Sequence, residues 1–272
     1  MSELNGVFQH IAELRKRVTR IAIAVVIIIA VILTFRLEHF VYNGITLYYP
    51  MPEPINNIAA QITNHMRQEL VPKSVQLIQT APGQAFYAQM YVASIVGVVL
   101  SMPIIIREFT AFIRPALKES EIKATRSVAV PALILFVTGV VFSYFTVIPF
   151  MLNFLYQYGA ASGLVTFLNV VDFVSFVLQF LLAFGVAFQL PLIMYAATVS
   201  GLTDAKFWRR NVRYAIVALV IIGAVVTPDG SGVTMWFISG PMIGLYLAGM
   251  IVIERREFKI KRLKSESGNI GN

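Results

Sequence analysis

Cysteine is absent from this 272-residue sequence, and charged residues are scarce, at 13% of the chain. Without cysteine the chain has no disulfide, no thiolate metal site and no cysteine nucleophile. A soluble domain is about 25% charged and about 45–50% apolar. Here 57% of the residues are hydrophobic. The composition therefore predicts an integral membrane protein.

The side chains that intramembrane chemistry requires are also scarce. The apolar runs contain almost no ionisable residues, and the three histidines, His10, His39 and His65, fall in polar segments. The sequence has no His-Glu-x-x-His zinc motif and no Gly-x-x-x-x-Gly-Lys phosphate loop. We therefore predict no enzyme activity, no metal site, no cofactor and no ATP use.

What the sequence does contain is a series of apolar runs near the length that crosses a bilayer. They cover residues 21–35, 85–106, 128–150, 173–199, 214–226 and 233–253. We predict an all-α polytopic membrane protein with about six transmembrane helices in a single integral membrane domain, 1–272. The fifth run is short, which predicts a tight hairpin of short fifth and sixth helices. Prolines in the runs predict bends and a cupped bundle.

Three flanking segments complete the predicted organisation. Residues 1–20 read as a cytoplasmic amphipathic helix, with Leu4, Val7, Phe8, Ile11, Leu14 and Val18 on one face. Residues 36–85 read as a structured outer loop, with a proline-rich stretch, an amphipathic helix over about 55–70 and a weak strand signal at 75–77. Residues 254–272 form a basic tail.

The distribution of basic residues predicts the orientation. Of the 22 Lys and Arg residues, 19 fall in alternate segments on one side and 3 on the other. The positive-inside rule places the 19 in the cytoplasm, so both termini lie inside an inner (cytoplasmic) cell membrane. Because these cations lie beside anionic lipid, nucleic acid is not needed to explain the basic pI.

Five segments, in order along the chain, resemble the TatC family. They are 10–17 (HIAELRKR), 111–117 (AFIRPAL) followed by Glu121, 142–150 (FSYFTVIPF), 183–191 (AFGVAFQLP) and 227–229 (TPD). This resemblance implies the receptor subunit of the twin-arginine translocase, which binds twin-arginine signal peptides. It also implies transport of folded proteins driven by the proton-motive force, with TatA-type single-span partners, with TatB in many systems, and with self-association in a larger complex.

The resemblance maps the signal-peptide site onto Glu13 and Glu121, in two predicted cytoplasmic segments. Arg15 and Arg17 belong to the same motif as Glu13. Carboxylates are suited to this task because bidentate bonds to guanidinium are stronger than neutral hydrogen bonds. The alternative for Glu13 is a helix-surface pair with Arg17 at i, i+4.

Phe112 and Pro115 belong to the implied site in the loop that also carries Glu121. We expect these two residues to shape the loop more than to bind the peptide directly. For Glu121 the alternative is a solvated local pair with Lys118.

Two further positions are open to a functional or a structural interpretation. Gln189 stands where the family commonly has glutamate, and it cannot carry a charge. It either holds a TatA-type helix through a polar contact in the membrane or is satisfied by neighbouring backbone. Asp229, in the last outer turn, either has a functional role or bonds its own backbone.

The alternative function is a secondary transporter for a small solute. Such folds often contain inverted repeats around a midplane site. The two halves of this sequence show no convincing repeat. Polar groups near the predicted midplane are few beyond Gln89, Gln179 and Gln189.

Overall fold

The structure of the protein is a computed structural model that describes residues 2–42, 45–72, 75–113, 119–163, 166–227 and 232–269. Within these ranges the helices are Ser2–Thr34 (α1), Ile58–Leu70 (α2), Gln84–Leu100 (α3), Met102–Ile113 (α4), Glu119–Phe142 (α5), Ile148–Ala161 (α6), Val170–Ala187 (α7), Leu190–Val199 (α8), Ala205–Arg210 (α9), Val212–Val226 (α10) and Gly232–Asn269 (α11). The strands are Phe35–Tyr42 (β1), Ile45–Pro52 (β2), Gln76–Ile78 (β3) and Phe167–Asn169 (β4).

The predicted helical, polytopic architecture is confirmed. Four described segments are long and apolar enough to cross a membrane: Ile11–Thr34, Ala129–Ala161, Val170–Val199 and Gly232–Lys259. A fifth is the bent pair α3–α4, and α10 is a shorter apolar helix. Five of these segments correspond to predicted runs of full length, and α10 corresponds to the short fifth run.

Helix α1 runs without a break through the segments predicted as an amphipathic helix and a first span. Its predicted apolar face does not turn towards the protein, since Ile11, Leu14 and Val18 are exposed. Only 6% of its apolar window is buried within the chain. Near its end, α1 does bury an apolar side chain, Ile32, and the helix packs on α3 and α4.

Breaks in the other spans coincide with polar or proline positions. Helices α3 and α4 meet at an angle of 49°. The buried Ser101 at this break donates its hydroxyl to the Gly97 carbonyl at 2.6 Å. A π-helical turn, Ser143–Val147, separates α5 from α6, and Pro149 and Pro191 lie in the first turns of α6 and α8. Pro131 lies inside α5, which continues through it.

The outer segment contains a β-hairpin that the hydropathy pattern did not predict. Strands β1 and β2 pair antiparallel over eight residues each, from Phe35 opposite Pro52 to Tyr42 opposite Ile45. Apolar side chains lie on both faces, so the alternation typical of a half-buried strand is missing. The signal in the sequence was the dipeptide Asn43-Gly44, which is a strong hairpin signal between apolar strands.

The rest of residues 36–85, predicted as a structured outer loop, contains α2 and β3. Helix α2 is capped by Asn57, whose side-chain oxygen accepts from the Ala60 amide at 3.0 Å. The Asn57 amide donates to Gln89 on α3 at 2.9 Å. The weak strand signal at 75–77 is confirmed as β3, which pairs in parallel with β4.

The sixth helix differs from its prediction because it is long. Helix α10 has 15 residues, as expected for a short fifth helix, but α11 has 38. Residues 254–267 contain no Gly or Pro, and their many Glu, Lys and Arg residues favour helix, so α11 continues beyond its apolar part. The predicted tail 254–272 is therefore helical through Asn269.

The chain folds as two compact units, each with its own buried core. The first comprises residues 1–116 and 144–182 and buries Val92, Ile148, Met151 and Phe173. The second comprises residues 117–143 and 183–272 and buries Phe136, Phe184, Met194 and Ile238. The cupped shape, the span count of six and the cytoplasmic termini stay predictions.

Candidate functional site

The guanidinium group of Arg17 on α1 forms ion pairs with two carboxylates. Glu13, one helical turn earlier, forms an ion pair with it and accepts a hydrogen bond from its Nε at 3.2 Å. On the opposite side, Arg17 Nη1 donates to Glu108 Oε2 on α4 at 3.2 Å. Arg17 is 18% exposed and Glu108 only 5%. Hydrogen bonds between charged partners in such partly buried surroundings are stronger than neutral ones.

Arg20 brings a second cation to the same buried carboxylate. Its Nη1 lies 3.6 Å from Glu108 Oε2, and its side chain is 52% exposed. Positions 13, 17 and 20 recur at helical spacing, so they share the face of α1 that packs on α4. We call Glu13, Arg17, Arg20 and Glu108 the α1–α4 charge cluster. It combines two carboxylates with two guanidinium groups.

Glu108 is the residue that sequence analysis missed. It lies just beyond the second apolar run and next to Arg107, where it reads as the start of a solvated loop. The structure instead extends α4 to Ile113 and buries Glu108 against α1. The sequence did contain a signal for this burial. If the helix of the second apolar run continues past its end, Glu108 lies on the same face as Ile105 and Ile104.

The sequence-predicted residues of the motif on α1 fall on different sides of the helix. Glu13 forms the predicted i, i+4 pair with Arg17. Arg15 is exposed on a surface of α1 that no other described element covers. The residues of this surface are Ile11, Ala12, Arg15, Lys16, Thr19 and Arg20.

The other predicted contact residues are described less fully. Glu121 lies in the first turn of α5 and Phe112 near the end of α4, but their side chains lie outside the described part of the chain. Pro115 and Asp229 also lie outside the described residues. Their contacts therefore stay predictions.

Gln189 lies at the break between α7 and α8. Its side-chain nitrogen donates to the Ala132 carbonyl on α5 at 3.0 Å and approaches the Gly185 carbonyl at 3.5 Å. Of the two interpretations of this residue, an amide bonded to neighbouring backbone matches these contacts. Contact with a partner helix stays a prediction.

The described side chains offer carboxylate chemistry rather than metal chemistry. In the part of the chain that the structure describes, no group of three or more His, Asp or Glu could hold a metal ion. Two carboxylates, one of them buried, suit recognition of a cation that carries several N–H donors in a plane, such as guanidinium.

Comparison with known proteins gives the chain a family. The family model for the Sec-independent protein translocase protein (TatC) matches residues 9–241. The chain is 58% identical over 253 residues to the TatC protein of Cenarchaeum symbiosum, covering 93% of this chain and 96% of the relative. It is 30% identical over 257 residues to the TatC protein of Listeria innocua, covering 94% and 93%.

The fold agrees with a solved relative. A crystal structure of the twin arginine translocase receptor TatC superposes with a TM-score of 0.74 at 26% identity, covering 90% of this chain and 98% of that one. Sequence and fold agree over nearly the whole length, and the chain belongs to the TatC family of Sec-independent protein translocase proteins.

Proposed function

We propose that this chain is the receptor that binds twin-arginine signal peptides at the cytoplasmic face of the membrane. The observation that carries the proposal is the α1–α4 charge cluster, in which the chain's own guanidinium groups occupy Glu13 and Glu108. Two carboxylates that already accept hydrogen bonds and ion pairs from two arginines have the acceptor geometry to bind two others. The basic segments around it are those that the positive-inside rule places in the cytoplasm.

Buried carboxylates suit peptide binding when a guanidinium group of the peptide replaces one of the chain's own. A carboxylate that is buried and loses its partner is costly, by several kcal/mol (~3–5). If a peptide arginine replaces Arg17 or Arg20 at Glu108, the charge stays compensated throughout. Lysine offers a single ammonium without the planar fork, so the same exchange is weaker for a twin-lysine peptide.

Glu121, in the first turn of α5, is a further proposed contact residue for the peptide, with Phe112 and Pro115 shaping the segment before it. Arg15, exposed on α1, is available to the peptide backbone or to lipid headgroups. The proposed peptide-contacting carboxylates are then Glu13, Glu108 and Glu121. Of these three, Glu108 is added to the sequence-derived site on structural grounds.

The proposed setting follows from the same family resemblance. The receptor is not an enzyme, and it acts in the inner cell membrane with both termini in the cytoplasm. It works with TatA-type single-span proteins, and in many systems of this family with TatB, to move folded proteins outward using the proton-motive force. Gln189 offers a polar contact for a partner helix, and Asp229 lies in the last outer turn.

The alternative, a small-solute transporter, has less support. Gln89 bonds to Asn57 and to the Ile55 carbonyl of the outer segment, at 2.9 and 3.3 Å. The Gln89 side chain therefore links that segment to α3. Gln179 is exposed on α7. Within their own unit, the described side chains of Gln89 and Gln179 therefore give a solute site no support.

Peptide binding to the purified protein tests the proposal. A fluorescent twin-arginine signal peptide and its twin-lysine version are titrated against wild type and against Glu13→Gln, Glu108→Gln and Glu121→Gln. Each substitution should weaken twin-arginine binding about tenfold or more, because a hydrogen bond to a charged group contributes ~1.5–3 kcal/mol.

The matched control is Glu254→Gln, which removes a carboxylate paired with the exposed Arg209 in the other unit. It should leave binding unchanged. Equal binding of the two peptides, or equal loss in the control, would reject the receptor proposal.

A further inference from the structure

The β1–β2 hairpin carries an exposed apolar surface that the receptor function does not use. Opposite residues of an antiparallel pair share a face, and successive residues alternate. One face of the outer half of the hairpin is therefore aromatic and aliphatic throughout. We call it the aromatic face, and it consists of Phe40, Tyr42, Ile45, Leu47 and Tyr49, which are 43–68% exposed.

The other face of the outer half is mixed in polarity. It consists of His39, Val41, Thr46 and Tyr48. Across residues 39–52 the sequence has no Asp, Glu, Lys or Arg. Contiguous exposed apolar surface of this kind marks contact with a protein or with a membrane. The position of the hairpin at the end of α1 favours contact with a membrane over contact with a protein.

The hairpin begins where α1 leaves the membrane. The candidate span Ile11–Thr34 ends one residue before β1, and the Glu53 amide donates to the Thr34 carbonyl at 2.9 Å. Arg36 pairs with Glu38 and Glu53, both at 3.0 Å, and the hydrogen bond to Glu53 raises the pKa of Arg36 above its ordinary value. The charges thus lie at the base, and the uncharged half extends from the end of a span.

Near its base, the hairpin is poorly suited to pairing with another protein strand at either edge. Both backbone groups of Leu37 bond to the side chain of Gln61, at 3.1 and 2.9 Å. They therefore point away from β2, which fixes the alternation of the ladder. Pro50 and Pro52 then occupy outward positions on β2, where they lack the N–H that an added strand needs.

We infer that the β1–β2 hairpin lies in the membrane–water interface with its aromatic face against lipid. Tyrosine and other aromatic side chains favour this layer because an apolar ring and a polar tip are both satisfied there. An eight-residue strand is about 27 Å long at ~3.4 Å per residue, so the hairpin covers lipid well beyond the end of α1. The surface recognised is the neutral interface, since the aromatic face carries no charge.

The absence of cysteine makes the test direct. Single cysteines replace Phe40 or Leu47 on the aromatic face, and Thr46 or Tyr48 on the opposite face, and each is spin-labelled in the full-length protein. The proteins are reconstituted into phosphatidylcholine vesicles, with or without phosphatidylglycerol. Collisions with oxygen, which partitions into lipid, are compared with collisions with a water-soluble nickel chelate.

Labels on the aromatic face should have an oxygen-to-nickel ratio several times that of labels on the opposite face, in both lipid compositions. Equal ratios on the two faces, with free access of nickel, would show a hairpin standing in water and overturn the inference. Low access of both reagents to the aromatic face would show a covering protein instead, and would overturn it equally.

Discussion

At the scale of single residues, Arg17 and Arg20 differ in what each contributes to the α1–α4 charge cluster. Arg17 is 18% exposed and contacts Glu13 and Glu108, whereas Arg20 is 52% exposed and contacts Glu108 alone at 3.6 Å. Arg17→Gln should therefore lower the free energy of unfolding by ~1–3 kcal/mol. Arg20→Gln should lower it by less than ~1 kcal/mol.

Thermal or denaturant unfolding of the two variants in the same detergent measures this difference. The two substitutions are matched, because each removes one guanidinium from the same face of α1. A larger loss for Arg20→Gln would contradict the assignment of Arg17 as the central cation.

Gln189 links the start of α8 to α5 through the Ala132 carbonyl. A polar contact between helices in a membrane contributes ~0.6–2 kcal/mol. Gln189→Leu should reduce stability by that amount and lower export of a twin-arginine reporter. Gln179→Leu, on an exposed face of α7, is the control and should change neither. Export that is unchanged in Gln189→Leu would remove Gln189 from the proposed function.

The contacts of single residues could be predicted from the sequence where both partners lie close together in the chain. The Glu13–Arg17 pair follows from i, i+4 spacing alone. The contact from Arg17 to Glu108 spans 91 positions, so it depends on which face α4 turns to α1. A hydropathy pattern does not specify that orientation, and Glu108 was missed for this reason.

At the scale of elements, the packing of α10 on α11 depends on Gly223. A Cβ at this position would overlap the Ser239 hydroxyl and lie 3.2 Å from the Met235 carbonyl. Gly223→Ala should therefore force the two helices apart and lower the melting temperature, since overpacking costs ~1–3 kcal/mol.

Gly240→Ala, one residue after Ser239 on α11, is the matched control. A Cβ there meets nothing within 4 Å. Alanine favours helix over glycine by ~0.5–1 kcal/mol, so this variant should be neutral or slightly stabilised. Equal melting temperatures for the two variants would show that α10 and α11 do not pack as the structure places them.

Elements with a strong hydropathy signal were predictable, and those without one were not. The spans could be predicted from the long apolar runs, because a helix that crosses a bilayer needs a long apolar stretch. The extension of α11 past residue 253 leaves no hydropathy signal, since its side chains are charged. The β1–β2 hairpin has apolar residues on both faces, so its period of two was hidden.

At the scale of the whole molecule, the charge distribution predicts which loops face outward. A cysteine replacing Ser162, exposed after α6, should react with a membrane-impermeant maleimide in intact cells. A cysteine replacing Ser265, in the basic tail, should react only after permeabilisation. The reverse pattern would contradict the cytoplasmic placement of the termini. The native chain has no cysteine, so each signal comes from one site.

The central claim is that precursors place their arginine pair at the α1–α4 charge cluster. The most direct measurement is disulfide formation in membranes between a precursor with a cysteine beside its arginine pair and this chain carrying Ala12→Cys, next to Glu13. We predict a cross-link with Ala12→Cys, none with Ser162→Cys, and a marked loss when the pair is changed to lysines. Cross-linking that is equal at both positions, or insensitive to the lysine change, would contradict the receptor account.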